Sequence, residues 1–201
     1  MSTPSSTPSS EPPSADGTET KTITVTLNLD GSVSDDSAPP SAPPNVAEDA
    51  STLVEKLLAV NFEAKHLQLI STLAFGNENM KKAIASSPLI IKLIGFFTTA
   101  SDPDVETTKS FCAALRACTI NSAKGRAQCR IPELYVSFLK SLKSQPENRD
   151  ECITTICAVC MNDEENCKLL KEAVGSVDLK DFVDDNEERA KKINFLEALM
   201  E

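Results

Sequence analysis

The fold is decided by residues 79–121, which read NMKKAIASSPLIIKLIGFFTTASDPDVETTKSFCAALRACTIN. Proline punctuates this stretch at Pro88 and Pro103. A proline is well tolerated in the first turn of a helix, where its missing N–H loses no hydrogen bond, so each proline predicts a helix start. Apolar residues recur with a period near 3.6 between these breaks. The stretch therefore predicts consecutive helices, each with one face to bury.

The same punctuation returns further along the chain. Ser86-Ser87-Pro88 reappears as Arg130-Ile131-Pro132 after 44 residues, and Ser101-Asp102-Pro103 reappears as Ser144-Gln145-Pro146 after 43 residues. Since one helix is much shorter than this interval, the shift indicates a repeated unit that contains several helices.

Similar residues in the last helix of the unit support the repeat. Residues 115–121 align with residues 156–162 at a shift of 41 residues. In armadillo repeats a short helix of the type Asn-x-x-x-Ile leads into a Gly or Pro turn and an apolar helix. An acidic turn with proline follows, and then a long helix that ends in Ala-Leu-x-x-Leu. Residues 79–121 resemble one complete repeat of this kind, in the same order.

Other segments resemble further armadillo repeats. A second repeat covers residues 123–160, and a third begins at Glu165 and reaches Gly175, where the turn between helices belongs. Residues 62–75 resemble the last helix of an incomplete preceding repeat. The repeat interval also matches HEAT repeats, so armadillo and HEAT both stay open. The resemblance to the armadillo-like family covers residues 50–183.

This resemblance implies an all-α fold, a short right-handed α-solenoid of about three repeats with an elongated concave groove. The end repeats of such a stack need caps. Residues 46–60 are expected to cover the first repeat, and a C-terminal capping helix after Asp185 is expected to cover the last. That helix places Ile193, Leu196 and Met200 on one apolar face. The alternative is that this face binds a partner.

The period and the turn signals predict the individual helices. These span residues 46–60, 63–75, 78–86, 89–98, 103–119, 122–129, 132–143, 147–161, 163–173, 176–183 and 186–200.

The first part of the chain has a different composition. Residues 1–47 hold eight of the twelve prolines and six acidic residues against one lysine. Such a segment cannot bury enough apolar surface to offset its chain entropy, so a disordered, Pro/Ser-rich acidic arm is predicted before a helical repeat domain at 48–201. Residues 22–29 alternate like a strand, but no second run of this kind is seen nearby to pair with them.

Net charge and hydropathy limit the classes of partner that the protein is expected to bind. The net charge of minus 10 argues against a nucleic-acid partner, which needs a basic footprint. The most apolar run, residues 89–97, is too short to cross a bilayer, so no membrane partner is expected. The N-terminus does not read as a secretory signal. We therefore expect a cytoplasmic protein, with the nucleus as a second compartment, and reduced cysteines.

Few residues suggest chemistry. His66 is the one histidine and has no recognisable catalytic partners, and the six glycines form no phosphate-binding loop. No enzymatic activity, cofactor or small-molecule substrate is expected. Cys157 and Cys160 have the spacing of a redox or zinc pair, with Cys152 and Cys167 close by. Because these four thiols point in different directions around one helix and its neighbour, buried packing is predicted. A metal or redox protein that uses the Cys152–Cys167 cluster is the contrasting class.

The armadillo resemblance places the function in the groove. Peptide-binding members of the family, such as nuclear-import adaptors, present a Trp and an Asn there. This chain has no tryptophan. The Asn positions hold Thr72, Ala117 and Ala158, which argues against recognition of import signals.

The resemblance instead implies a mixed polar groove with modest positive character. Its candidate partner-binding residues are Gln68, Thr72, Lys109, Arg116 and Thr154. Arg116 is the strongest candidate, since arginine is enriched at binding hot spots. The expected function is a non-enzymatic protein–protein interaction module or adaptor. A regulator of a small GTPase or chaperone is the alternative.

Overall fold

The computed structural model describes residues 26–27, 33–34, 49–100, 102–175 and 177–201. The chain divides into two units, Met1–Pro39 and Pro40–Glu201. In the first unit, strands β1 (Thr26–Leu27) and β2 (Val33–Ser34) pair antiparallel. The expectation that residues 22–29 have no strand partner was therefore wrong. The partner strand has only two residues, which is too short to produce a recognisable alternating pattern. The rest of the predicted arm lies outside the described residues.

The second unit is helical, and its described residues contain ten α-helices, which confirms the all-α prediction. They are α1 (Ala50–Ala59), α2 (Ala64–Ala74), α3 (Glu78–Ala85), α4 (Leu89–Thr99), α5 (Val105–Thr119), α6 (Ala123–Ala127), α7 (Pro132–Ser144), α8 (Arg149–Cys160), α9 (Glu164–Val174) and α10 (Glu187–Met200). Short 3-10 helices occur at Pro146–Asn148 and Leu179–Phe182. The second of these replaces the predicted helix over 176–183, because only four residues there keep a helical turn.

Three joints between helices share one geometry. The residues Gly76, Asn121 and Asn162 follow the ends of α2, α5 and α8, with φ of 68°, 58° and 55°. Glycine adopts this left-handed conformation freely and asparagine tolerates it. The next side chain then caps α3, α6 or α9 by accepting a backbone N–H: Asn77 from Met80, Ser122 from Gly125 and Asp163 from Asn166. The same turn therefore occurs three times.

Helices that lie far apart in the sequence pack against each other. Helix α2 packs on α5, α5 on α8, and α8 on α10, and we call these four helices the α2–α5–α8–α10 row. In addition, α3 contacts α6 and α4 contacts α7. A cluster of three phenylalanines lies in the core between α4, α5 and α7. The rings of Phe97 and Phe111 stack with centroids 4.0 Å apart, and Phe138 lies 5.8 Å from Phe97.

The close approach of α5 and α6 depends on a glycine. A Cβ atom added to Gly125 would lie 2.6 Å from the backbone oxygen of Cys118 and 2.9 Å from Oγ of Ser122. Both distances are shorter than a Cβ contact allows. Because Gly125 has no side chain, α6 can approach the end of α5 this closely.

Helix α10 packs as the last member of the row. Ile193 and Leu196 are each 1% exposed and Met200 is half-buried. These contacts fit the predicted cap. The alternative role, in which this face binds a partner, finds no exposed surface at Ile193 or Leu196. Arg189 anchors the helix through ion pairs with Asp150 of α8 at 3.0 Å and Asp184 at 2.6 Å.

None of the described helices combines the length and the apolar character that crossing a bilayer requires. Helices α3 and α4 reach them only together, and a bend of 71° separates the two.

Candidate functional site

The predicted groove residues lie on three helices of the row. Gln68 and Thr72 belong to α2, Lys109 and Arg116 to α5, and Thr154 to α8. Gln68, Thr72 and Lys109 are exposed, and the other two are half-buried. The structure therefore brings the five residues to one succession of neighbouring helices.

Three of the five are engaged with neighbouring helices. Gln68 Nε2 donates to Glu106 Oε1 of α5 at 3.0 Å. Arg116 Nη1 forms an ion pair with Glu151 Oε2 of α8 at 2.6 Å. Lys192 Nζ of α10 donates to Thr154 Oγ1 at 2.8 Å. We call these three contacts the polar ladder: Gln68–Glu106, Arg116–Glu151 and Thr154–Lys192. The ladder joins each helix of the row to the next.

Among the described residues, Thr72 and Lys109 form no hydrogen bond or ion pair with another helix of the row. The hydroxyl of Thr72 donates to the backbone oxygen of Gln68 at 3.0 Å, a bond within α2. Lys109 is exposed on α5. The predicted groove thus offers a partner few polar groups that are not already bonded to the protein itself.

Large apolar side chains are exposed at the ends of the same helices. Phe75, Ile120 and Met161 are the residues that directly follow α2, α5 and α8, and they are 82%, 45% and 45% exposed. Each backbone N–H donates to the carbonyl four residues earlier, which fixes the chain while the side chain faces solvent. We call these three residues the apolar ridge. Because α2 packs on α5 and α5 on α8, the ridge crosses three neighbouring helix ends.

The middle of the ridge has a positive neighbour. Arg126 Nη1 donates to the backbone oxygen of Thr119 at 3.2 Å, directly beside Ile120. In the described part of the chain, no carboxylate pairs with this guanidinium, and its Nε is buried without a hydrogen-bond partner. A guanidinium without a carboxylate partner among the described residues therefore lies against the last backbone carbonyl of α5.

The third residue of the ridge has a compensated neighbour. Arg130 donates to both carboxylate oxygens of Asp163, at 3.2 and 3.1 Å, two residues after Met161. This bond raises the pKa of Arg130. The charge of Arg130 is thus balanced within the protein, whereas no carboxylate among the described residues pairs with Arg126.

Sequence reasoning did not find the apolar ridge or Arg126. The helical period identifies residues that face the core, and an apolar residue just beyond a helix end falls outside that pattern. A signal was present, however. In each case an apolar residue directly precedes a Gly or Asn and then a capping residue, as in Phe75-Gly76-Asn77.

The cysteines are all buried free thiols. Cys152 Sγ lies 3.9 Å from Cys112 Sγ, whereas Cys157 Sγ points to the backbone oxygen of Lys192 and Cys167 Sγ to that of Cys160. The Cys152–Cys167 cluster therefore does not converge on one point. Within the described ranges, no three His, Cys, Asp or Glu side chains are grouped so as to hold a metal ion.

Burial makes these thiols weak acids. It raises the pKa of Cys118 to about 12 and that of Cys157 to about 11. Thiolate is the reactive form of cysteine, so at neutral pH these side chains act as packing groups. His66 is also structural, because its Nδ1 accepts the backbone N–H of Glu63 at 3.1 Å and so caps α2.

An open cleft of about 520 Å³ lies between α9 and the end of α10. Its lining includes Asp163, Lys168, Lys171 and Met200. Lys171 Nζ donates to the backbone oxygen of Met200 at 2.8 Å, which ties the two helices together beside the cleft. The lining therefore mixes charged and apolar groups without assembling an acid–base pair.

The polar ladder joins neighbouring helices, and Phe75, Ile120 and Met161 of the apolar ridge are exposed. Comparisons of this chain with models of protein families, with curated proteins and with solved structures find no match.

Proposed function

We propose that this protein is a non-enzymatic interaction module, an armadillo-like α-solenoid that binds a protein partner along the α2–α5–α8–α10 row. The observation that carries the proposal is the apolar ridge. Three large apolar side chains are exposed at equivalent positions in successive units. Neighbouring exposed apolar side chains that form a contiguous patch are typical of an interaction site.

The order of helix contacts supports the solenoid. In a stack of repeats each unit contacts only its neighbours, and the core continues from one unit to the next. The contacts of α2 with α5, α5 with α8, and α3 with α6 follow this rule. So does the joint that recurs at Gly76, Asn121 and Asn162.

The polar ladder moves the proposed contact away from Arg116. A partner that bonded to Arg116 would compete with Glu151, whose carboxylate is already 2.6 Å away. Phe75, Ile120 and Met161 require no such exchange, because partner contact removes their apolar surface from water. The ridge is therefore the main contact, and the ladder holds it in shape.

The test compares two triple variants of the full chain. The ridge variant carries Phe75→Ser, Ile120→Ser and Met161→Ser. The control carries Ile91→Ser, Val105→Ser and Val136→Ser, which are also exposed apolar residues but lie outside the ridge. Each protein is immobilised and exposed to extract from the cells that express the gene, and retained proteins are identified and then purified for direct titration.

The expected result is direct binding of at least one purified protein to the wild type and the control, weakened about tenfold or more by the ridge variant, as loss of a hot spot would do. Circular dichroism confirms that both variants are folded. Equal binding by all three proteins, or no binding protein at all, contradicts the proposal. The identity of the bound protein also decides whether a small GTPase or a chaperone is the partner.

A further inference from the structure

A serine and a lysine meet where α6 contacts the end of α3. Ser86 is exposed and directly follows α3, and its Oγ accepts a hydrogen bond from Nζ of Lys124 on α6 at 3.1 Å. Four residues after Lys124, Gln128 Nε2 donates to the backbone oxygen of Ala85 at 2.7 Å. The two contacts join α6 to the end of α3 and place the ammonium group beside the hydroxyl.

A comparable contact further along the chain is an ion pair. Arg130 lies 44 residues after Ser86, and both residues precede a proline by two positions. The guanidinium of Arg130 donates to both carboxylate oxygens of Asp163, the residue that caps α9. Lys124 instead faces a neutral hydroxyl, and among the described residues no carboxylate pairs with it. A negative charge on Ser86 would therefore complete an ion pair between α3 and α6.

The sequence around this contact contains no acidic residue. The protein has 30 acidic residues and a net charge of minus 10, yet residues 79–101 and 107–132 contain none of them. Lys82 precedes Ser86 by four residues, and residues at this spacing lie on the same face of a helix. A negative group on Ser86 thus meets positive charge from α3 as well as from α6.

The neighbouring serine is already used by the fold. Ser87 Oγ donates to the backbone oxygen of Ile84 at 2.8 Å and accepts the backbone N–H of Leu89 at 3.2 Å, which holds the turn between α3 and α4. In the part of the chain that the structure describes, Ser86 Oγ bonds only to Lys124. Its exposed hydroxyl can therefore be modified without breaking this turn.

We propose that Ser86 is a phosphorylation site and that Lys124, together with Lys82, binds the phosphate. A protein kinase transfers the γ-phosphoryl group of a nucleoside triphosphate to Oγ of Ser86. The bond between Oγ and the γ-phosphorus forms, and the bond from that phosphorus to the bridging oxygen breaks. The nucleoside diphosphate leaves, and the hydroxyl proton passes to a base of the kinase.

The two lysines determine the effect of the phosphate. A phosphoserine carries a charge of about −1.5 to −2 at pH 7, and negative charge at the C-terminus of a helix is unfavourable on its own. Charge-assisted hydrogen bonds from Lys124 and Lys82 offset this repulsion. The phosphate then joins α3 to α6, as Asp163 joins α9 to Arg130. This site does not depend on the apolar ridge or on the proposed interaction function.

Mass spectrometry tests whether Ser86 is modified. The full chain and its Ser86→Ala variant are incubated with MgATP, phosphatase inhibitors and extract of the cells that express the gene, and the phosphorylated positions are mapped. Phosphate is expected on Ser86 of the wild type, and the variant is expected to lack phosphate in the turn between α3 and α4. Absence of phosphate from Ser86, or phosphate on Ser87 alone, overturns the proposal.

Phosphorus NMR tests whether Lys124 binds the phosphate. Phosphoserine is placed at position 86 of the full chain by suppression of an amber codon, and its second ionisation is followed by titration. The pKa of this ionisation is about 6 without a partner, and because a nearby cation favours the dianion we expect a value below about 5.5. Lys124→Gln is expected to return the pKa toward 6. Lys143→Gln, which removes an exposed lysine from α7, is the matched control. Equal pKa values in the wild type and Lys124→Gln overturn the assignment of Lys124.

Thermal unfolding of the same proteins gives the sign of the effect. Phosphate on Ser86 is expected to raise the melting temperature of the wild type by about 2–4 °C. In the Lys124→Gln background the same phosphate is expected to give no increase, because the repulsion at the end of α3 is no longer offset. A lower melting temperature of the phosphorylated wild type would contradict the proposed contact between α3 and α6. None of these measurements involves the apolar ridge, so their failure leaves the proposed interaction function standing.

Discussion

The guanidinium of Arg116 on α5 lies 2.6 Å from the carboxylate of Glu151 on α8, and both side chains are half-buried. This pair is the middle contact of the polar ladder. It spans two helices whose sequences are separated by one repeat interval. The arginine that looked most suited to bind a partner thus joins α5 to α8.

Reversing one charge of this pair tests that role. Arg116→Glu places two carboxylates together and is expected to lower the free energy of unfolding by about 1–2 kcal/mol. The double variant Arg116→Glu, Glu151→Arg is expected to recover most of this loss. Urea unfolding followed by circular dichroism measures both. A folded Arg116→Ala protein that loses its partner would show instead that Arg116 belongs to the binding surface.

Gly125→Ala is expected to destabilise the protein by about 1–3 kcal/mol, because the new methyl group overpacks the joint between α5 and α6. The backbone oxygen of Cys118 would lie only 2.6 Å away. Gly95→Ala is a matched control within α4, where a Cβ atom meets nothing within 4 Å. That control is expected to gain about 0.5–1 kcal/mol from the better helix propensity of alanine. Equal effects of the two variants would mean that the joint is not tightly packed.

Acid is expected to weaken the anchor of α10. The hydrogen bond from Arg189 lowers the pKa of Asp150, and that from Arg149 lowers the pKa of Asp184. A depressed carboxylate pKa stabilises the fold above the unfolded value, here 3.8, and this stabilisation disappears as the pH falls through the lower folded value. Both groups therefore contribute at neutral pH.

The double variant Asp150→Asn, Asp184→Asn is expected to be less stable at pH 7 and to lose less stability than the wild type below about pH 4. Thermal unfolding between pH 7 and pH 2 measures both effects. Asp185→Asn is the control, since Asp185 is not a partner in these ion pairs. If the melting temperature of the double variant falls with decreasing pH as steeply as that of the wild type, the assignment is contradicted.

Thiol reactivity is expected to report on burial. All seven cysteines are buried free thiols, so a thiol reagent at pH 8 should label the native protein about two orders of magnitude more slowly than the denatured protein. Denatured protein that has not seen a reductant should show all seven thiols. Fewer thiols, or thiols released by a chelator, would favour the metal or redox class.

Much of the helical layout could be predicted from local signals. The prolines and the period place α5 and α7 within two residues of their observed bounds, since caps and apolar spacing are properties of a short segment. The predicted helix over 176–183 was wrong because no signal distinguishes a single 3-10 turn, Leu179–Phe182, from an α-helix. The predicted apolar stripe of α10 does contain Ile193 and Leu196, which are buried.

The candidate site was harder to predict. Gln68, Arg116 and Thr154 do lie on three neighbouring helices of the row. The sequence gives no sign, however, that these side chains are already bonded to Glu106, Glu151 and Lys192. These contacts depend on the offset between helices, which no single segment encodes. Phe75, Ile120 and Met161 were missed because a periodic pattern explains buried residues and leaves the first residue after a helix unassigned.

The cluster of Phe97, Phe111 and Phe138 also determines how the protein opens. It ties α4, α5 and α7 together, whereas among the described helices α1 packs mainly on α3 and α4, and α10 mainly on α8 and α9. Local unfolding is cheapest where packing is least, so amide hydrogens should exchange fastest in α1 and α10 and slowest around the three rings. The C-terminal end of α5, which is followed by Ile120 of the apolar ridge, would then remain ordered while the outer helices fluctuate.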